Sequence, residues 1–195
     1  MICRTSITLA IGTSLSLPYF YGTAPLVYKA ISAKTSSTPL TLTVTAHGLP
    51  ASWPLVAFTD TEVEKLDASK WPPTDGDWLT ATKVDTDTLK FNDVDLARLD
   101  PDGNWSLGSI AYQTPVDLAG ASARLDIFDG DDVLFSIDGD LDNTTKTITF
   151  PFTDADTADL DAGTYTFATF FLDSLDKETI LDEGDFILYV AGSPP

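Results

Sequence analysis

Side chains able to carry chemistry are few in kind in this chain. His47 is the only histidine and Cys3 the only cysteine among 195 residues, while thirty residues are Asp or Glu. A Ser-His-Asp relay would need a nucleophile and an acid grouped around His47, and the abundant Ser, Thr and Asp residues single out neither. His47 also stands in Ala46-His-Gly-Leu-Pro50, turn chemistry in which an imidazole serves the backbone by hydrogen bonding, so a structural role is the favoured reading. Asp138-Gly-Asp-Leu-Asp142 has the spacing of a calcium loop's first three ligands. The sixth position is Asn143 instead of Gly, and the twelfth is Thr149 instead of Glu, so turn formation is favoured over a metal site. Asp129-Gly-Asp-Asp132 likewise has the composition of a hairpin turn. One cysteine allows no internal disulfide and no cysteine-based zinc site. Paired carboxylates for glycoside hydrolysis are present by number, but nothing in their spacing selects two. There is no phosphate-cradling glycine loop, no dinucleotide fingerprint and no basic-aromatic patch. The expectation is a protein that is not an enzyme, with no catalytic residue, no cofactor and no metal.

Aromatic residues give the other candidates. All four tryptophans, Trp53, Trp71, Trp78 and Trp105, fall within one stretch of the chain. A small β module needs large aromatics to fill its core, which is the reading for most of them. Trp71, before Pro72-Pro73, and Trp105, beside Asn104, are the candidates for contact with a glycan or a protein partner.

Eleven basic residues against thirty acidic ones leave a net charge of −19. Phosphate binding requires clustered Lys and Arg, so nucleic acid and anionic membrane faces are not expected partners, whereas a basic protein surface is. A hydrophobic fraction of 43% with 11% aromatics supports packed cores, not a disordered chain. The first dozen residues are apolar but interrupted by Ser and Thr, and read as a β-strand more readily than as a cleaved signal. No stretch approaches the length of a membrane-spanning helix.

The elements that must position these residues are mostly short alternating runs. Ile7 to Ile11 and Leu15 to Phe20 form a strand pair around Gly12, with Pro18 pointing to a sheet edge. Gly22 to Pro25 and the Ser/Thr-rich Ser32 to Pro39 read as junctions. Leu40 to Phe58 is alternation, a turn at Gly48 to Pro50, and a second apolar run. A short helix is expected over Thr61 to Lys70, capped by Asp60 and stopped by Pro72-Pro73. Asp75 to Asn92 reads as a hairpin and Asp100 to Trp105 as a loop. Pro115 marks an extended entry into a turn bracketed by Asp117 and Gly120, after which Ala123, Leu125 and Ile127 alternate with Arg124, Asp126 and Phe128. Leu134 to Asp138 and Lys146 to Phe152 form a hairpin pattern around a turn-rich Gly139 to Asn143. Thr153 to Leu160 reads as a helical turn, Gly163 to Leu172 alternates, and Glu183 to Val190 is the last strand.

Thr114-Pro-Val-Asp-Leu-Ala-Gly-Ala-Ser-Ala-Arg-Leu-Asp-Ile-Phe128 resembles a turn-plus-strand of small immunoglobulin-like β-sandwich modules in tailed-phage virion proteins, at the base of fibres, baseplates and neck appendages. The order Val44-Thr-Ala-His-Gly-Leu49, then Gly76-Asp-Trp-Leu-Thr-Ala-Thr-Lys-Val-Asp-Thr-Asp-Thr-Leu-Lys-Phe-Asn92, resembles a small β-barrel module recurrent in phage tail proteins. That module is distantly related to the half-domain around the catalytic cysteine of ubiquitin-activating enzymes. The resemblance covers residues 38 to 110 and carries no catalytic residue. The closing segment matches the sandwich pattern in outline, except that Ile180-Leu-Asp stands where that pattern often has Arg.

The resemblance implies an all-β chain: an immunoglobulin-like β-sandwich from residues 1–27 and 111–195, interrupted by a β-barrel insert at 28–110, with one or two short helices. It implies a structural protein of a tailed-phage particle, a multi-copy adaptor or decoration protein of the neck, tail or baseplate. Its expected partners are portal, adaptor, tail tube or fibre proteins and copies of itself. A glycan-binding host-recognition module is the alternative. The weakly charged strand region of residues 5 to 20 is the expected docking edge.

Overall fold

Nearly every alternating run becomes a strand. The computed structural model describes residues 6–58, 77–95 and 108–190, and the chain divides into two compact units, Met1–Tyr21 with Asp117–Pro195, and Gly22–Val116. The helix expected over Thr61 to Lys70 and the loop at Asp100 to Trp105 lie outside the described residues.

The first unit is a β-sandwich. Its strands are β1 (Ser6–Ala10), β2 (Leu15–Phe20), β10 (Ser122–Asp129), β11 (Asp132–Asp138), β12 (Asp140–Asp142), β13 (Thr147–Phe152), β14 (Gly163–Leu172) and β15 (Glu178–Tyr189). One sheet has the order β1-β15-β14-β10-β11 and the other β12-β13-β2. The faces meet through aromatic side chains: Phe152 of β13 stacks on Phe186 of β15 with ring centroids 5.6 Å apart, and Phe135 of β11 packs edge-on against both. Ile7, Leu17, Leu125, Ile127, Ile148, Phe150 and Phe167 complete a buried core. The N-terminal strand pair is therefore not a hairpin. β1 runs parallel to β15, and β2 pairs antiparallel with β13 in the opposite sheet.

The region expected as one hairpin over residues 134 to 152 also divides between sheets. β11 stays beside β10, while β12 pairs with β13. The chain turns this corner at Gly139, where a Cβ would lie 2.9 Å from Ile148, 3.0 Å from Phe150 and 3.1 Å from Ala123. Only a residue without a side chain lets the backbone pass so close to the core. The helical turn α1 (Asp154–Thr157) follows β13. The Asp156 carboxylate accepts from the N–H and hydroxyl of Thr153, and buried Thr157 accepts from the Gly12 N–H at 3.1 Å.

The second unit holds β3 (Gly22–Ala30), β4 (Ala33–Ser37), β5 (Leu40–Thr43), β6 (Ser52–Phe58), β7 (Leu79–Lys83), β8 (Thr88–Phe91) and β9 (Ser109–Pro115). The two stretches read as junctions from their Ser, Thr and Pro content are thus strands β3 and β4. Pairing overrides composition there: β3 finds β9, and β4 finds β5. Gly22 pairs with Pro115, so residues 22–27 and 111–116 belong to this unit and not to the sandwich.

The expected barrel is an open roll. The order is β3-β9-β6-β7-β8-β5-β4, with no ladder between β3 and β4 among the described residues. Flat, the two edges would stand about 29 Å apart at a strand spacing of ~4.8 Å. Yet Ala30 ends one edge strand and Ala33 begins the other, a separation of at most ~11 Å along the chain. The sheet must curl, and its concave side buries Leu40, Leu42, Trp53, Leu55, Leu89, Phe91 and Ile110.

Prolines sit where the ladder leaves a free side. Pro18 lies in edge strand β2, and Pro25 in the bulge of edge strand β3. Pro54 is in the half of β6 that pairs with β7 alone, and Pro151 lies beyond the reach of β12. A residue without an N–H costs no ladder bond at such positions.

Candidate functional site

His47 is buried at 2% exposure, and both ring nitrogens are engaged. Nδ1 accepts from the Leu49 N–H at 3.0 Å, which leaves Nε2–H to donate to the Asp85 carbonyl at 2.9 Å. The backbone around it is equally committed. Ala46 donates its N–H to Asp87 at 2.6 Å, Tyr112 donates its hydroxyl to the His47 carbonyl, and Lys83 reaches the Leu49 carbonyl at 3.3 Å. Burial pushes the imidazole below the ordinary histidine value, with Lys83 adding to the effect. The Asp85 carbonyl bond and the Asp87 and Asp85 charges oppose it. A neutral ring with no free nitrogen is a clasp between the 46–49 turn and the β7–β8 hairpin, not a base awaiting a nucleophile.

The acidic clusters divide between turns and strands, with Asp138 ending β11 and Asp140 opening β12. In the D-x-D-x-D stretch, Asp142 accepts from the N–H groups of Thr144 and Thr145 at 2.7 and 3.3 Å, and these bonds hold its carboxyl below the usual range. Gly130-Asp131 is the two-residue connection between paired Asp129 and Asp132. Among the described residues no three His, Cys, Asp or Glu side chains are grouped to hold a metal.

The turn that opens β10 is clipped in the same manner. Leu118 is buried and donates its N–H to Asn143 at 2.8 Å. Asp117 takes the Ala119 N–H at 3.4 Å and Lys146 Nζ at 3.3 Å. Asn143, then Lys146, hold the Asp117 carboxyl below its ordinary value. The turn is thereby fastened to the β12–β13 connection. β10 itself lies between β14 and β11. On its outer face Arg124 bonds Asp126 at 2.8 Å and lies 5.0 Å from the Phe170 ring centroid.

Of the tryptophans, Trp53 is a core residue whose Nε1 donates to the Gln113 carbonyl at 3.0 Å, and Trp78 is half-buried. Trp71 and Trp105, the candidate contact residues, lie outside the described residues.

Sheet edges are a further feature of the surface. Among the described residues the three sheets expose six edge strands, and five carry a device that discourages strand addition. β2 has Pro18, and β3 has a bulge with Pro25. β4 has a bulge beside Lys34. β11 has a bulge and the charges Asp132 and Asp138. β12 is three residues long with two aspartates. β1, Ser-Ile-Thr-Leu-Ala, has no proline, no charge and no bulge. Of the two strands within residues 5 to 20, β1 is thus the one without such a device, a distinction the sequence could not make because Pro18 marks only its neighbour.

Charge is unequal between the units. The first carries four basic and eighteen acidic residues, a net −14, and the second seven and twelve, a net −5.

No protein-family model matches the chain, and no curated protein does. Solved structures that match include ligand-free PulA from Klebsiella pneumoniae, at 13% identity and a TM-score of 0.23, over 80% of this chain and 20% of that one. Apo pullulanase from the same organism matches at 13% identity and a TM-score of 0.22, over 78% and 22%. The chain spans about a fifth of the length of these proteins. A likeness this slight carries no argument about activity.

Proposed function

We propose that this chain is a structural component of a tailed-phage particle, a multi-copy adaptor or decoration protein of the neck, tail or baseplate that joins larger components such as fibres. The observation that carries the reading is the Thr114–Phe128 stretch, whose resemblance to sandwich modules of virion proteins spans the clipped turn and strand β10. That is scaffold, and a resemblance in scaffold speaks to module type. Two further features agree with it. His47 and Asp142 serve the backbone, as architecture requires, and the surface offers a bare strand edge on the more acidic unit.

Joining is what such a molecule does with edges and charge. A strand edge supplies directional hydrogen bonds, and the negative field favours partners with Lys and Arg. The test is mass spectrometry of purified particles of the phage that encodes the chain. The protein should be present in several copies per particle, and its absence from intact particles would refute the reading.

A further inference from the structure

We infer that the free edge of β1 is a docking edge for an extended segment of another protein, one in which apolar residues alternate with Lys or Arg. This rests on edge geometry and charge, and stands without the virion reading.

The direction of the free groups follows from the ladder. In a parallel pair, alternate residues send both peptide groups to the same neighbour. Ile11 donates its N–H to the Tyr189 carbonyl at 3.0 Å, so Leu9 and Ile7 also turn to β15, and Ser6 and Thr8 present theirs to the open side. Among the described residues no strand lies there. The faces differ as well. Ile7 and Leu9 are buried on the core side, at 2% and 6% exposure. Ser6 and Thr8 are exposed on the other side, with Asp185 directly across from Ser6.

An added strand would therefore place apolar residues along the flank of Ile7 and Leu9. Its intervening residues would stand two strand spacings, about 10 Å, from Asp185, within reach of a long cationic side chain. The unit's net −14 makes a basic segment the matching occupant. A second copy would bring another −14 unit to the same edge, where like charges oppose docking.

Two blocked peptides probe the site in the full chain, Lys-Val-Lys-Val-Lys-Val-Lys and its counterpart with Glu for Lys, titrated by calorimetry and by the Ser6 and Thr8 amide signals. The lysine peptide should bind at least about tenfold more tightly than the glutamate peptide, and should weaken by about tenfold or more from 50 to 500 mM salt. Thr8→Pro removes an outward N–H without touching the β15 ladder, and should weaken the lysine peptide by at least about tenfold. Thr8→Lys leaves the backbone intact and adds a guarding charge. It should weaken the lysine peptide and favour the glutamate peptide, and it decides the matter if the proline variant fails to fold. Lysine-peptide binding unchanged by Thr8→Lys, or equal binding of the two peptides, overturns the proposal. So does a concentration-dependent dimer that Thr8→Lys abolishes, which would assign the edge to a second copy.

Discussion

Replacing His47 with alanine should unfold the second unit at markedly lower denaturant while leaving the first unit in place. The substitution orphans two backbone groups, the Leu49 N–H and the Asp85 carbonyl. The buried Leu49 N–H costs about 1–3 kcal/mol when orphaned, the part-buried Asp85 carbonyl less, and with the vacated ring volume the total should be roughly 2–4 kcal/mol. The assay is built into the chain. All four tryptophans lie in the second unit, so intrinsic tryptophan fluorescence during denaturation follows that unit alone. His47→Asn, which keeps an acceptor near Nδ1 but does not reach Asp85, should cost about 1–3 kcal/mol. Protonation offers a second reading of the same clasp. The folded protein holds His47 below its ordinary value near 6.5, so the unfolded chain takes up the proton first. The clasp's stability is full above about pH 6.5 and falls as pH drops through the lower folded value. The wild-type midpoint should fall over that window more steeply than that of His47→Asn, which has no such group. A His47→Ala midpoint within about 0.5 kcal/mol of wild type, or identical pH slopes, would refute the clasp.

Other outcomes follow from the same geometry. Gly22→Ala should destabilise the second unit by about 1–3 kcal/mol, since the new Cβ would lie 2.6 Å from Gln113 Cβ and 3.1 Å from Trp53; tryptophan fluorescence would register it. Gly139→Ala should cost a similar ~1–3 kcal/mol in the first unit, visible by calorimetry with the tryptophan transition unmoved. Asp85, Asp117, Asp142 and Asp173 are all held below their ordinary value, chiefly by hydrogen bonds from turn residues. Their contribution is full above about pH 4 and lost as pH falls through the lower folded values, so an acid titration by far-ultraviolet dichroism should show destabilisation beginning below pH ~4. Replacing residues 22–116 with a short glycine linker should leave the sandwich folded and incorporated into particles, because Gly22 and Pro115 are paired neighbours that a short link spans. Loss of incorporation with the sandwich intact would place the anchor in the second unit.

Much of this was legible in one dimension. Alternation marked Leu40 to Phe58, Gly163 to Leu172 and the run after Gly120 as strands, because a half-buried strand places successive side chains on opposite faces. Pro18 announced an edge, and the residues around His47 announced a turn, because both signals are local. Neighbours were not legible. A period of two says which side of a strand is buried and nothing about which strand lies beside it. The pairing of Ser6 with Asp185 joins residues from opposite ends of the chain. Composition misled where pairing outweighed it, and the Gly22 to Pro25 and Ser/Thr-rich Ser32 to Pro39 stretches went into β3 and β4 because β9 and β5 were there to receive them. The corner at Gly139, the curl of the seven-stranded sheet and the bareness of β1 belong to the tertiary structure, since each depends on what comes close in space and what does not. Local chemistry set the strands and turns; long-range pairing decided the sheets and, with them, the edge left open.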